Sequence, residues 1–284
     1  MNRMHEANRK RWDLTAPRYK VRCEAEWRRC HLDPSLGFER GSLALLQKYV
    51  GDLSDKSACV LGSGDNYAAF ALAGLGAQVT SVDISQEQLN IAAERAAQLG
   101  VDVHFVQGDV TALPGLADNS FDFACSTNGV MIWITDPKAY YSEACRLLKP
   151  GGIFLSYDIH PFQRPWNDAP EPLKMVKPYF DSGPKEWLYD PDSGEARLAS
   201  EVEPEERQGK VSAFKCNWTI SELLAALLDA DFELLHILEE PDTDPTFWTM
   251  DAVNDELERD LVDWRKNPRV GLPVWLTLVA KKKG

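Results

Sequence analysis

Paired cysteines are missing from this chain of 284 residues: Cys23, Cys30, Cys59, Cys125, Cys145 and Cys216 are scattered singly, with none at zinc-ligand or redox spacing. That excludes a disulfide scaffold and predicts free, mostly buried thiols. Cys30-His31 with Cys23 fits no known metal spacing, so no metal is expected. Long apolar runs are missing too. The longest charge-free stretch, Asn66 to Val82, is broken by Asn, Gln, Thr, Ser and glycines, and no transmembrane helix is expected from it. Arg3, Glu6, Arg9, Lys10 and Arg11 crowd the N-terminus with no apolar run behind them, unlike a secretory signal or a transit peptide. The expected compartment is the cytoplasm.

Basic residues are scarce relative to acids, 31 Lys and Arg against 44 Asp and Glu, for a formal net charge of -13. Such a surface repels a phosphate backbone, which excludes nucleic acid and leaves a small molecule as the expected partner. The sequence leaves monomer or homodimer open. Ten carboxylates between Glu239 and Asp263, against the single base Arg259, read as the solvated face of a helix within 241–268.

What the chain does have is an alternation of β-branched runs and helix-patterned segments, the signature of a parallel sheet. Strands are expected at Ala58–Leu61, Gln78–Val82, Asp102–Val106, Phe121–Ser126, Ile153–Tyr157, Phe232–Leu238 and Val274–Ala280. Seven strands make an α/β fold, a doubly wound Rossmann-like sheet in a single domain. Helix ends are marked by Ser85 with Gln88 as a capping box and Gly100 as a stop, by Asp136-Pro137 with a closing Lys149-Pro150-Gly151-Gly152 turn, and by Thr219 with Glu222. Residues 1–55 read as a helical cap and 56–159 as a cofactor-binding half. The segment 160–215, rich in proline and aromatics, reads as an irregular lid insertion, and 216–284 as the C-terminal half of the sheet.

The first strand runs into Val60-Leu61-Gly62-Ser63-Gly64-Asp65-Asn66-Tyr67, and a helix follows. Glycines there let a ligand approach backbone at a helix N-terminus. A dinucleotide fingerprint wants a third glycine where Tyr67 stands, which weakens an NAD reading. Asp83 closes the second strand, where a carboxylate can hold both hydroxyls of a ribose. Gln107-Gly108-Asp109-Val110 ends the third strand.

With Asn119-Ser120-Phe121-Asp122-Phe123-Ala124 and Leu147-Leu148-Lys149-Pro150-Gly151-Gly152, these motifs resemble the class I S-adenosylmethionine-dependent methyltransferases. The likeness is to the small-molecule group related to ubiquinone and menaquinone biosynthesis, the type 11 methyltransferases. The resemblance covers residues 55 to 160 motif by motif and implies a last strand antiparallel to the rest. It implies S-adenosylmethionine as cofactor and S-adenosylhomocysteine as product. By that resemblance Gly62, Ser63 and Gly64 cradle the methionyl part and Asp83 binds ribose, with Gln88 closing over it. Asp109 takes the adenine amino group, Ile84 and Val110 pack on the ring, and Asn128 and Gly129 line the methyl-transfer mouth. Tyr19, in a segment resembling the family's opening one, folds over the cofactor; Trp12 is equally suited to packing. Two positions depart from the pattern: Val60 where the family has an acid, and Asn66 where it has a glycine, which Asn replaces at positive φ better than most residues.

The implied activity is methyl transfer to an O, N or C atom of an unidentified small molecule. It needs alignment above all, and a base only where the acceptor must lose a proton. His160, with Asp158 beside it, is the candidate base. His104, His236 and Trp133 read as structural. Two other readings stay open: an NAD(P)-dependent oxidoreductase on a related fold, and a cofactor-binding protein without transfer activity.

Overall fold

The computed structural model describes residues 2–22, 26–127, 129–166, 174–242 and 262–284, leaving aside the side chains of Tyr19 and Arg22. Asn128, Cys23 and nearly all of the expected acidic helix lie outside the described residues.

All seven expected strands form one sheet. They are β1 (Ser57–Leu61), β2 (Gln78–Asp83), β3 (Val103–Gln107), β4 (Phe121–Thr127) and β5 (Leu148–Ile159), then β9 (Phe232–Glu240) and β10 (Trp275–Lys282). Their order is β3-β2-β1-β4-β5-β10-β9. β1 to β5 run parallel, and β10 lies antiparallel between β5 and β9. The order reverses between β1 and β4, the switch point beyond whose carboxyl ends an α/β crevice opens. Side chains on these strands alternate between two cores. Ala124 and Phe154 join Tyr140, Tyr141, Leu223 and Phe232 on one face. Phe123, Cys125 and Leu155 join Phe38, Leu46, Leu72 and Trp275 on the other.

The helices begin where the sequence marks them. Ser85 accepts the Gln88 N–H at 3.2 Å and opens α4 (Gln86–Leu99), which Gly100 ends in left-handed conformation. Asp136 caps α5 (Pro137–Leu147), and Thr219 with Glu222 completes a reciprocal box on α6 (Ile220–Asp229). The Lys149-Pro150-Gly151-Gly152 turn is instead drawn into β5. Leu148 already pairs with Phe121, and Gly151 absorbs the bend at φ 78.

Two regions carry structure that the pattern left vague. The N-terminal cap is α1 (Arg3–Arg22), a 3-10 turn at Pro34–Leu36 and α2 (Gly41–Tyr49); α3 (Tyr67–Gly74) follows β1. The expectation of an irregular insertion at 160–215 is corrected: β6 (Gly183–Tyr189), β7 (Ala196–Leu198) and β8 (Val211–Asn217) form a three-stranded antiparallel sheet. Side chains alternate between its two faces, so that Lys185, Trp187 and Tyr189 share a face with Val211, Ala213 and Lys215. Proline density hid that alternation.

Candidate active site

The glycine loop hangs from β2 by backbone bonds: Gly62 and Ser63 both donate to the Val82 carbonyl, at 2.9 and 3.0 Å. Gly62 sits at φ 70. A Cβ there would lie 3.0 Å from Val130 Cγ1, so both conformation and space require glycine. Asn66 takes φ 68 as the residue before α3, as its tolerance of that region allows. Its Nδ2 donates to the Gly64 carbonyl at 2.8 Å, and its Oδ1 accepts from Ser81 Oγ. Ser63 Oγ lies 2.8 Å from the same Ser81 hydroxyl. Val60 is fully buried inside β1, and this Ser81–Asn66–Ser63 set orders the loop without an acid at position 60.

Asp83 is the second anchor. Its Oδ2 accepts the Gly64 N–H and its Oδ1 the Ser85 N–H, both at 2.8 Å. Burial pushes its carboxyl above the ordinary carboxylate value in spite of those backbone donors. Asp109 differs. Burial opposes its charge, but His5 and Thr111 hold its carboxyl below the ordinary range. His5 Nδ1 sits 2.8 Å from Asp109 Oδ2, and Thr111 donates to Oδ1 from its backbone and its hydroxyl.

A cavity of about 800 Å³ opens along this edge, lined by Gly62, Gly64, Asp83, Ile84, Gln88, Asp109, Val110 and Gly129. Ser63 and Asn66 lie behind it, as supports of the loop. Helix α1 closes the top. Asn8 pairs both ways with the Phe214 backbone on β8, at 2.6 and 2.9 Å. Asp13 accepts the Ser85 hydroxyl at 2.7 Å, and Lys20 meets Glu94 on α4 at 2.7 Å. Trp12 lines the cavity and stands edge-on to Trp133 at 5.2 Å. Trp133, read as structural, lines it too. Tyr19 lies on α1, with its side chain outside the described atoms.

Sequence reasoning missed His5, Asn8, Arg11, Arg40, Arg164 and Lys215, all lining residues. A signal for α1 existed. His5, Asn8 and Arg11 recur at helical spacing and are all buried, so this helix turns a polar stripe inward where an ordinary one turns an apolar stripe.

The candidate base is not brought to the cavity. His160 is 2% exposed, with Nε2 at 2.8 Å from Glu239 and Nδ1 accepting the Phe162 N–H at 3.1 Å. Burial holds its pKa below the ordinary histidine value. It caps the turn after β5. Asp158 accepts the Met131 N–H at 2.8 Å and so fixes the turn that carries Gly129 to the cavity wall; burial raises its carboxyl. The aromatics of the insertion are mostly engaged with one another. Trp166, Tyr179 and Phe180 pack with Phe162 in a chain of edge contacts at 5.9, 5.7 and 5.1 Å. Trp187 serves as a platform for Lys215, 4.5 Å from Nζ to the ring centroid. Tyr189, from the same sheet face, reaches the cavity.

Among the described residues no group of His, Cys, Asp or Glu is placed to hold a metal, and no helix is long and apolar enough to cross a membrane. The five described cysteines are free and buried.

Residues 60–156 match the family described as Methyltransferase domain. A ubiquinone/menaquinone biosynthesis C-methyltransferase from Bdellovibrio bacteriovorus is 40% identical over 110 residues, 38% of this chain and 46% of that protein. A sterol 24-C-methyltransferase from Gibberella zeae is 31% identical over 187 residues, 62% of this chain and 40% of that one. The chain therefore spans less than half the length of either relative. The crystal structure of an S-adenosylmethionine-dependent methyltransferase from Mesorhizobium loti shares the fold, with TM-score 0.58 at 20% identity over 86% of this chain and 99% of that one. From β1 to β5 the chain is thus similar to methyltransferase domains, and its strand order is that of a fold shared with an S-adenosylmethionine-dependent methyltransferase.

Proposed function

We propose that the protein transfers the sulfonium methyl of S-adenosylmethionine to an O, N or C atom of a small molecule by in-line displacement. The observation that carries this is the convergence of Gly62, Gly64, Asp83, Ile84, Asp109 and Val110 on one cavity at the switch point of the sheet. The donor set fits a nucleoside. The Asp83 carboxylate has lone pairs left after the Gly64 and Ser85 N–H bonds and can accept both ribose hydroxyls. Asp109, kept ionised by His5 and Thr111, accepts an exocyclic amino group, with Ile84 and Val110 on the ring faces.

The cofactor supplies an electrophilic methyl group; the chain supplies alignment and exclusion of water. Helix α1 covers the crevice and Gly129, held through Asp158, borders the transfer mouth. Asp158 and His160 serve as positioning groups in this reading. Quinone and sterol are what the relatives' names mention, and both are small molecules with large apolar bodies.

The test is transfer of label from methyl-labelled S-adenosylmethionine to a panel of phenols, quinols, amines and carboxylic acids. Product formation that requires Asp83 supports the reading. Cofactor binding without any transfer leaves only the binding protein.

A further inference from the structure

The cavity wall facing the insertion carries positive charge that the cofactor reading leaves unused. Arg11 is 8% exposed. Its guanidinium carbon lies 4.1 Å from the Trp12 ring centroid, 4.9 Å from Trp133 and 4.7 Å from Tyr189. The rings attract the cation through their faces but accept no conventional hydrogen bond. Nε and Nη1 of Arg11 are buried without a hydrogen-bond acceptor. Leaving charged N–H groups buried and unpaired is costly, and such an arrangement is retained where a ligand completes it. Two more cations line the same cavity. Lys215 stands over Trp187, and Arg164, just past β5, has a 3.9 Å ion pair with Asp158.

We propose that this wall is a subsite for a carboxylate carried by the methyl acceptor, with Arg11 as its principal ligand and Lys215 supporting it. The inference rests on the methyltransferase reading and names its substrate class: a small carboxylic acid with an apolar or aromatic body. A guanidinium edge matches a carboxylate bidentately, and Trp133 and Tyr189 give the body an aromatic wall. The other carboxylate to consider is the cofactor's own. Arg40 lines the same cavity, but its guanidinium already pairs with Asp242 and donates to Tyr157 Oη, both at 2.7 Å, so the titration below also reads cofactor affinity. Arg11 is held by the turn after β4 and by the insertion sheet.

The experiment is isothermal titration of the full chain saturated with S-adenosylhomocysteine, using benzoate and cinnamate against their amides, benzamide and cinnamamide. The carboxylates are expected to bind at least tenfold tighter than the amides. Arg11→Met is expected to erase that gap and Arg11→Lys to keep part of it, while affinity for S-adenosylhomocysteine stays within threefold in both. A parent that binds S-adenosylhomocysteine but does not prefer carboxylate over amide overturns the subsite alone. Loss of S-adenosylhomocysteine affinity in Arg11→Met, parallel to the loss of benzoate, assigns Arg11 to the cofactor and overturns it too. A parent that does not bind S-adenosylhomocysteine overturns the methyltransferase reading beneath it.

Discussion

The Asp83 carboxylate receives the Gly64 backbone N–H at 2.8 Å, so the acid that closes β2 and the glycine loop that follows β1 are one mechanical unit. Removing the acid therefore takes away a loop anchor and, in the proposed reading, a ribose ligand as well. Asp83→Ala is expected to weaken S-adenosylhomocysteine by tenfold or more, since charge-assisted bonds contribute about 1.5–3 kcal/mol each. Asp83→Asn, which keeps an acceptor for one N–H, should fall between it and the parent. Titration calorimetry on the three proteins orders them; equal affinities would contradict the assignment.

Asn66 does the work that the sequence pattern gives to an acid at position 60. Asn66→Gly keeps the left-handed backbone but removes the bonds to Ser81 and Gly64, and Asn66→Ala removes both bonds and backbone tolerance. Cofactor affinity is expected to drop in both, while thermal stability should fall further in the alanine variant, by about 1–2 kcal/mol for the added backbone strain. Thermal melts with and without S-adenosylhomocysteine separate the two effects.

How much of this was legible in the sequence follows from what each segment is tuned to. Strands β1 to β5 and the capped helices could be read because local pattern and global fold agree there, as in the full Thr219–Glu222 box. That Gly62, Asp83 and Asp109 would share one cavity was legible because each stands at the carboxyl end of its own parallel strand, on one edge of the sheet. Arg11, Arg40 and Lys215 were not: each reaches the cavity through a tertiary arrangement, and no spacing within the chain announces that α1 lies against β8 and α4. His160 misled for the opposite reason. Its place after β5 suits a base, but the Glu239 carboxylate and the Phe162 N–H, set by β9 and by the next turn, occupy both its nitrogens.

His160 is accordingly expected to matter for stability. His160→Ala should lower the melting temperature, by roughly 2–4 °C for each kcal/mol lost, and leave kcat within about threefold, well short of the 10²–10⁴ that loss of a general base costs. A hundredfold drop in kcat at unchanged melting temperature would restore it as the base.

The same residue gives a pH signature. Burial holds the folded histidine below its ordinary value of 6.5, so on acidification the unfolded chain takes up the proton first. Stability then rises with pH below 6.5 and levels off above it. Urea unfolding across that range should show a slope that is reduced in His160→Gln; an identical slope in both would mean that another group supplies it.

His5 ties α1 to the end of β3 through Asp109, and its Nε2 meets Thr135. His5→Ala is expected to loosen the cover and weaken S-adenosylhomocysteine several-fold, chiefly through a faster off-rate. Stopped-flow binding checks this, and an unchanged off-rate would show that α1 closes without that link.

The central claim is that the crevice between the glycine loop, Asp83, Asp109 and α1 holds S-adenosylmethionine. Its most direct test is isothermal titration of the full chain with S-adenosylhomocysteine and, separately, with NAD. The account predicts one-to-one binding of S-adenosylhomocysteine that Asp83→Ala weakens, and no heat with NAD. Binding of NAD with no response to S-adenosylhomocysteine would contradict it.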